Sequence, residues 1–127
     1  MALNNEKSVD FNGMEVECKQ LNIGPAGTVT QITNRATGVT VNATSGRITT
    51  DTTSLAAAAE ATFTVTNSSV VATSVPIVAV ASGAAATTLA YVSAVAAGSF
   101  DVTVANLHAS TAETGALVLN FVVINGV

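Results

Sequence analysis

The chain has 127 residues, 49 % of them hydrophobic, with four Lys and Arg against eight Asp and Glu and a net charge of -4. That length supports one domain burying roughly two-thirds of the surface its unfolded chain would expose, and the scarcity of cations argues against phosphate-backbone binding and against anionic membrane surfaces. Apolar residues come in short runs, the best being Val75 to Ala81 with Pro76 inside it, so none reaches the ~18–20 residues of a membrane-spanning helix.

The first twenty residues carry Glu6, Lys7, Asp10, Glu15, Glu17 and Lys19, whereas Arg35, Arg47, Asp51, Glu60, Asp101 and Glu113 are all the charges that follow. This split suggests a polar arm, residues 1–27, on a neutral body, residues 28–127. Met1 to Lys7 shows no basic region followed by an apolar one, so no secretory signal is expected. Asn12-Gly13 marks a turn, and Met14, Val16 and Leu21 could dock the arm as a strand. Cys18 is the single cysteine, which excludes an intrachain disulfide and reads as an inert, at least partly buried thiol. Gly24-Pro25-Ala26-Gly27 closes the arm with a strong turn signal.

Short alternating runs follow. Val39 and Val41 point one way, Thr40 and Asn42 the other, and Ser45-Gly46 reads as a turn into Arg47-Ile48-Thr49-Thr50. Leu55 to Ala61 is Ala-rich but too short for a stable helix, and is expected as a turn or tight loop. Ala61, Phe63 and Val65 alternate with Thr62, Thr64 and Thr66, the clearest period of two in the chain, and Asn67-Ser68-Ser69 ends that strand. In Ala84 to Ala97, Leu89, Val92 and Ala96 fit helical spacing, while Leu89, Tyr91 and Val95 fit one strand face. The β-branched Thr87, Thr88 and Val92 favour the strand. Phe100, Val102 and Val104 repeat the alternation. Leu117 to Ile124 is apolar at every position but Asn120, as expected of a strand covered on both faces, and Asn125-Gly126 closes it.

Residues 61–100 contain no charged side chain. They read as two or three alternating strands with hydroxyls outward, bounded by Pro76, Gly83 and Gly98. About eight short antiparallel strands then give an all-β fold, a β-sandwich or jelly roll.

The chain offers little chemistry. Ser110, the single histidine His108 and Asp101 can be written as a triad, but neither a nucleophile elbow nor an oxyanion-hole glycine motif surrounds them. One His and one Cys cannot make a structural zinc site, and the pair Glu15 and Glu17 falls far short of the six or more oxygens calcium takes. No glycine-rich phosphate loop is present, and Tyr91 with no Trp is too little for an aromatic sugar platform. Asn42-Ala43-Thr44 and Asn67-Ser68-Ser69 match the glycosylation sequon but read as turn residues. No catalytic residue, cofactor or metal is expected.

Several phrases in order carry a resemblance. They are Thr30-Gln31-Ile32-Thr33-Asn34, Thr37-Gly38-Val39-Thr40-Val41-Asn42, Ser45-Gly46-Arg47-Ile48-Thr49, Phe63-Thr64-Val65-Thr66-Asn67-Ser68, Gly98-Ser99-Phe100 and Asn120-Phe121-Val122-Val123-Ile124. Over residues 28–127 the chain resembles small β-rich structural proteins of tailed-phage and prophage capsid regions. The resemblance implies a virion protein, made in the host cytoplasm and placed on the capsid surface. In that role it is a decoration or cement protein bound to the major capsid protein as a homo-oligomer, a homotrimer rather than a homodimer. Phe11, Met14, Val16, Val75, Ile77 and Val78 are the expected interface residues, the uncharged run facing other subunits and the arm facing the shell. A tail-fibre tip or another receptor- or glycan-binding module is the alternative.

Overall fold

The computed structural model describes Gly13, residues 20–24 and residues 26–126. Phe11, Met14, Val16, Cys18 and the Glu15/Glu17 pair therefore lie outside the described residues. Leu21, offered above as a docking residue of the arm, is 78 % exposed.

Among the described residues eight strands form: β1 (Ala26–Thr30), β2 (Val39–Thr40), β3 (Ser45–Thr49), β4 (Glu60–Thr66), β5 (Ser74–Ser82), β6 (Thr88–Ala96), β7 (Ser99–Asn106) and β8 (Val118–Asn125). They make two four-stranded sheets, sheet I in the order β1-β3-β8-β5 and sheet II in the order β2-β4-β7-β6. The chain is an all-β sandwich, and among the described residues there is no helix. The Ala-rich stretch before β4 is a turn, and Thr88–Ala96 is a strand whose β-branched side chains stand on a pleated surface.

Up to β6 the chain changes sheet at every connection; β8 later inserts between β3 and β5 and β7 between β4 and β6, while β1 and β3, and β2 and β4, are direct neighbours. Those neighbours run the same way: β1 pairs β3 and β2 pairs β4 in parallel, and the other four pairings are antiparallel. The expectation of a wholly antiparallel sandwich is corrected to this extent. A parallel pair needs a crossover of about a dozen residues or more, and residues 31–44, which include β2, provide it for β1 and β3. Among the described residues the only hairpin within one sheet is β6–β7, turned by Ala97 and by Gly98 at φ +82°.

The core fills the space between the sheets. Phe63, Val65, Phe100, Val102 and Val104 come from sheet II, and Ile48, Leu119, Phe121 and Val123 from sheet I. Phe100 and Phe121 meet across the middle with ring centroids 6.0 Å apart at 50°. The alternation of β4 is as expected, Phe63 and Val65 buried and Thr62, Thr64 and Thr66 outside.

Four local expectations are corrected. β8 is covered on one face only, because β3 and β5 flank it sideways while Asn120 and Ile124 stand exposed on the outer face. Pro76 does not bound a strand but lies inside β5, which an edge strand tolerates. The outward face of β5 carries Val75, Ile77 and Ala79 rather than hydroxyls. Ser45-Gly46 is not a turn but the start of β3. Gly46 is needed there for close approach: a Cβ would lie 2.1 Å from the Gly27 carbonyl oxygen and 2.9 Å from the Phe121 ring. Gly46→Ala is expected to cost about 1–3 kcal/mol by pushing β1 off β3, measurable as a lower urea midpoint.

Candidate interaction surface

β5 and β6 are each nine residues long, each ends its sheet among the described residues, and they pack against one another on the same side of the sandwich. Both fall inside the stretch without charge. Exposed edges normally carry lysine, proline or bulges that prevent pairing with another chain. Here the guards are Pro76 and one register shift in each strand, between Val80 and Ser82 and between Val92 and Ala94. No charged side chain stands on either strand.

The outer face of sheet I is apolar next to this edge. Val75 is 55 % exposed, Ile77 49 % and Ile124 47 %. Val75 pairs with Ile124 and Ile77 with Val122, so the four side chains form one block across β5 and β8. Val78, also expected at the interface, lies on the opposite face of β5 in the core. Farther across the same outer face, Thr28, Arg47 and Asn120 surround an open depression of about 480 Å³ floored by Gly27 and Gly46. The arm joins the body beside it, where the Ser45 hydroxyl donates to the Ile23 carbonyl at 2.8 Å.

The outer face of sheet II is polar. Thr62 and Thr103 share a hydroxyl hydrogen bond of 2.8 Å, and Thr103 donates to Ser93 at 2.9 Å. Thr64 donates to the Asp101 carboxylate at 2.7 Å, and the Tyr91 hydroxyl to Glu60 at 3.4 Å. These cross-strand bonds take the place of ion pairs, and Thr103, held between Thr62 and Ser93, is buried on this face.

A buried polar cluster closes one end of the sandwich, and sequence reasoning missed it because charged residues far apart in the chain read as surface. Arg35 and Glu113 are 3 % and 0 % exposed. The Arg35 guanidinium donates to the Thr50 hydroxyl at 3.1 Å, to the Gly115 carbonyl at 2.6 Å, and to the carbonyls of Thr53 and Glu113. The Glu113 carboxylate accepts from the Ala85, Ala86 and Gly115 amides and from the Thr88 hydroxyl at 2.7 Å. Glu113 thereby pins the β5–β6 connection, and Arg35 pins the loops around β3. Burial pushes the Glu113 carboxyl up, but hydrogen bonds from Thr88, Ala86, Gly115 and Ala85 outweigh it, and its pKa lies below the ordinary glutamate value. Burial lowers the Arg35 pKa against the opposing charges of Glu113 and Asp51. The available signal was composition: in a chain so poor in charge, an isolated charge needs a structural reason.

The remaining sequence candidates are placed in loops and strand faces. His108 Nδ1 accepts from the Ser110 and Thr111 backbone amides, while Asp101 is held by Thr64 on the sheet II face. The letters of a triad are thus used for a loop turn and a cross-strand bond. Asn67 is fully buried, with its amide donating to the Ala43 carbonyl at 2.7 Å, and Asn42 accepts from the Ser68 amide at 2.9 Å. Asn106, also buried, donates to the carbonyls of Leu55, Ala56 and Thr111. Among the described residues, no three His, Cys, Asp or Glu group to hold a metal ion. No family model, curated protein or solved structure matches this chain.

Proposed function

We propose that the chain is a virion structural protein, a decoration or cement protein that sits on the outside of the major capsid shell as a homo-oligomer, with three copies as the expected assembly. The observation that supports this best is the side of the sandwich made by β5 and β6, two long strands that end their sheets among the described residues and carry no charge. Surfaces of this kind are covered in permanent assemblies, whose interfaces are the more apolar class. The charged arm makes the contact with the shell.

Sedimentation tests the assembly. The protein is expected to run as a defined oligomer at micromolar concentration, and a stable monomer there would count against the reading. Leu89, on β6, is 48 % exposed. Leu89→Glu is expected to weaken association at least about tenfold while unfolding stability changes by no more than about 0.5 kcal/mol. Electron microscopy of particles with and without the protein tests its place, and unaltered capsid binding after deletion of residues 1–20 would remove the role of the arm.

A second reading, a receptor- or glycan-binding module, draws on the outer face of sheet II, where Tyr91, Glu60, Asp101 and four hydroxyls lie together. A glycan array with no hit would weaken it.

A further inference from the structure

We propose that the outer face of sheet I is the docking surface for this chain's own N-terminal segment, residues 14–18, which lies outside the described residues. Four observations carry this. Among the described residues nothing covers the face: Val75, Ile77 and Ile124 are each about half exposed and contiguous with Val122, and an exposed apolar block of this kind marks a contact site.

The arm starts on the rim of that face. Ile23 is fixed to Ser45, Ser45 pairs with Val122, and Val122 pairs with Ile77. Two strand spacings, roughly 10 Å, separate Ser45 from Ile77. The seven residues from Ile23 back to Val16 span up to about 24 Å when extended, so the reach is ample.

The segment has the matching pattern. Met14, Val16 and Cys18 alternate with Glu15 and Glu17, so in an extended conformation one side is apolar and the other acidic. Lastly, the face offers a matching charge. Arg47 stands exposed beside the depression, its side chain makes no hydrogen bond or ion pair, and it is the only exposed cation among the described residues. Its long side chain can reach a carboxylate carried above the sheet by the segment.

Docking within one chain is favoured over exchange between copies because the short tether from Ile23 holds the segment at an effective concentration of order millimolar. Residues 1–13 stay free for other contacts.

Cys18, the single cysteine, gives the test directly. The full chain, isotope-labelled and carrying a nitroxide on Cys18, is expected to lose amide signals at Val75–Ile77 and Val122–Ile124 while those at Thr62–Thr66 on the other sheet persist. A second label, on Lys19→Cys in a Cys18→Ser background, is expected to give the same pattern without altering the apolar side. The double variant Met14→Asp/Val16→Asp should restore the signals at an unchanged melting temperature. Absence of broadening on sheet I with both labels overturns the proposal. So does broadening that appears only when unlabelled isotope-enriched chains are mixed with nitroxide-bearing ones, since the occupant is then a second copy.

Discussion

Replacing Glu113 by alanine is expected to lower the unfolding free energy by about 3–5 kcal/mol, the range for breaking a buried charged network by removing one partner. The carboxylate is fully buried and accepts from three backbone amides and one hydroxyl. Alanine leaves those donors without acceptors inside the protein, and each unpaired donor carries a desolvation cost. Arg35 keeps its carbonyl acceptors but loses the neighbouring opposite charge. Glu113→Gln keeps the size yet turns an amide donor toward groups that themselves donate, and about 1.5–3 kcal/mol is expected to be lost. Urea denaturation of the two variants measures both.

The same carboxylate sets an acid limit. Its folded pKa lies below the ordinary value of 4.5, so its contribution is complete above that value and is lost as pH falls through the folded pKa. Stability is therefore expected to fall with pH only below about 4.5, and Glu113→Gln should flatten that limb. Asp51 also titrates low, held by hydrogen bonds from the Thr53 hydroxyl and amide, but it is only half-buried, so solvent screens it and it adds little to the slope.

Phe100→Ala is expected to destabilise by about 3–5 kcal/mol through the loss of buried area and the cavity left behind. Phe100 is 1 % exposed and meets Phe121 across the sandwich, so the cavity opens between the two sheets rather than at a margin that could collapse. The control is Ile124→Ala: Ile124 is 47 % exposed at the outer face, and its loss should cost much less. A near-equal fall in the midpoints of the two variants would show that the sheets do not rely on this contact.

The parts of the fold that could be read from the sequence are those in which neighbouring residues do opposite things. β4 and β7 are read directly because Phe63, Val65, Phe100 and Val102 alternate with polar residues. The parallel pairs could not be read, since β1 and β3 meet through a crossover that leaves no local pattern. Gly46 looked like a turn residue because glycine serves both turns and close backbone approach, and only its neighbour Gly27 decides between them. Arg35 and Glu113 were hidden for a different reason. Their burial depends on donors and acceptors from loops up to 80 residues away, and no spacing rule links them. On the surface, which side chains of the uncharged stretch face outward is decided by the pairing of β5 with β8, which puts Val75 and Ile77 outside and Val78 in the core, and no local pattern announces that partner.

β8 lies between β3 and β5 rather than at an edge. During synthesis the strands on both sides are made long before it, so until β8 emerges β5 has no neighbour in its sheet and β3 has only β1. The β6–β7 hairpin can form early, because its contacts are local. Sheet I must wait, and a fold so dominated by distant pairings is expected to close slowly, on a scale of milliseconds to seconds. Until then β3 and β5 both present open edges, and a chain shortened before Val118 would keep them open permanently. Pairing of β8 thus separates a chain with two open strand edges from one with a closed sheet.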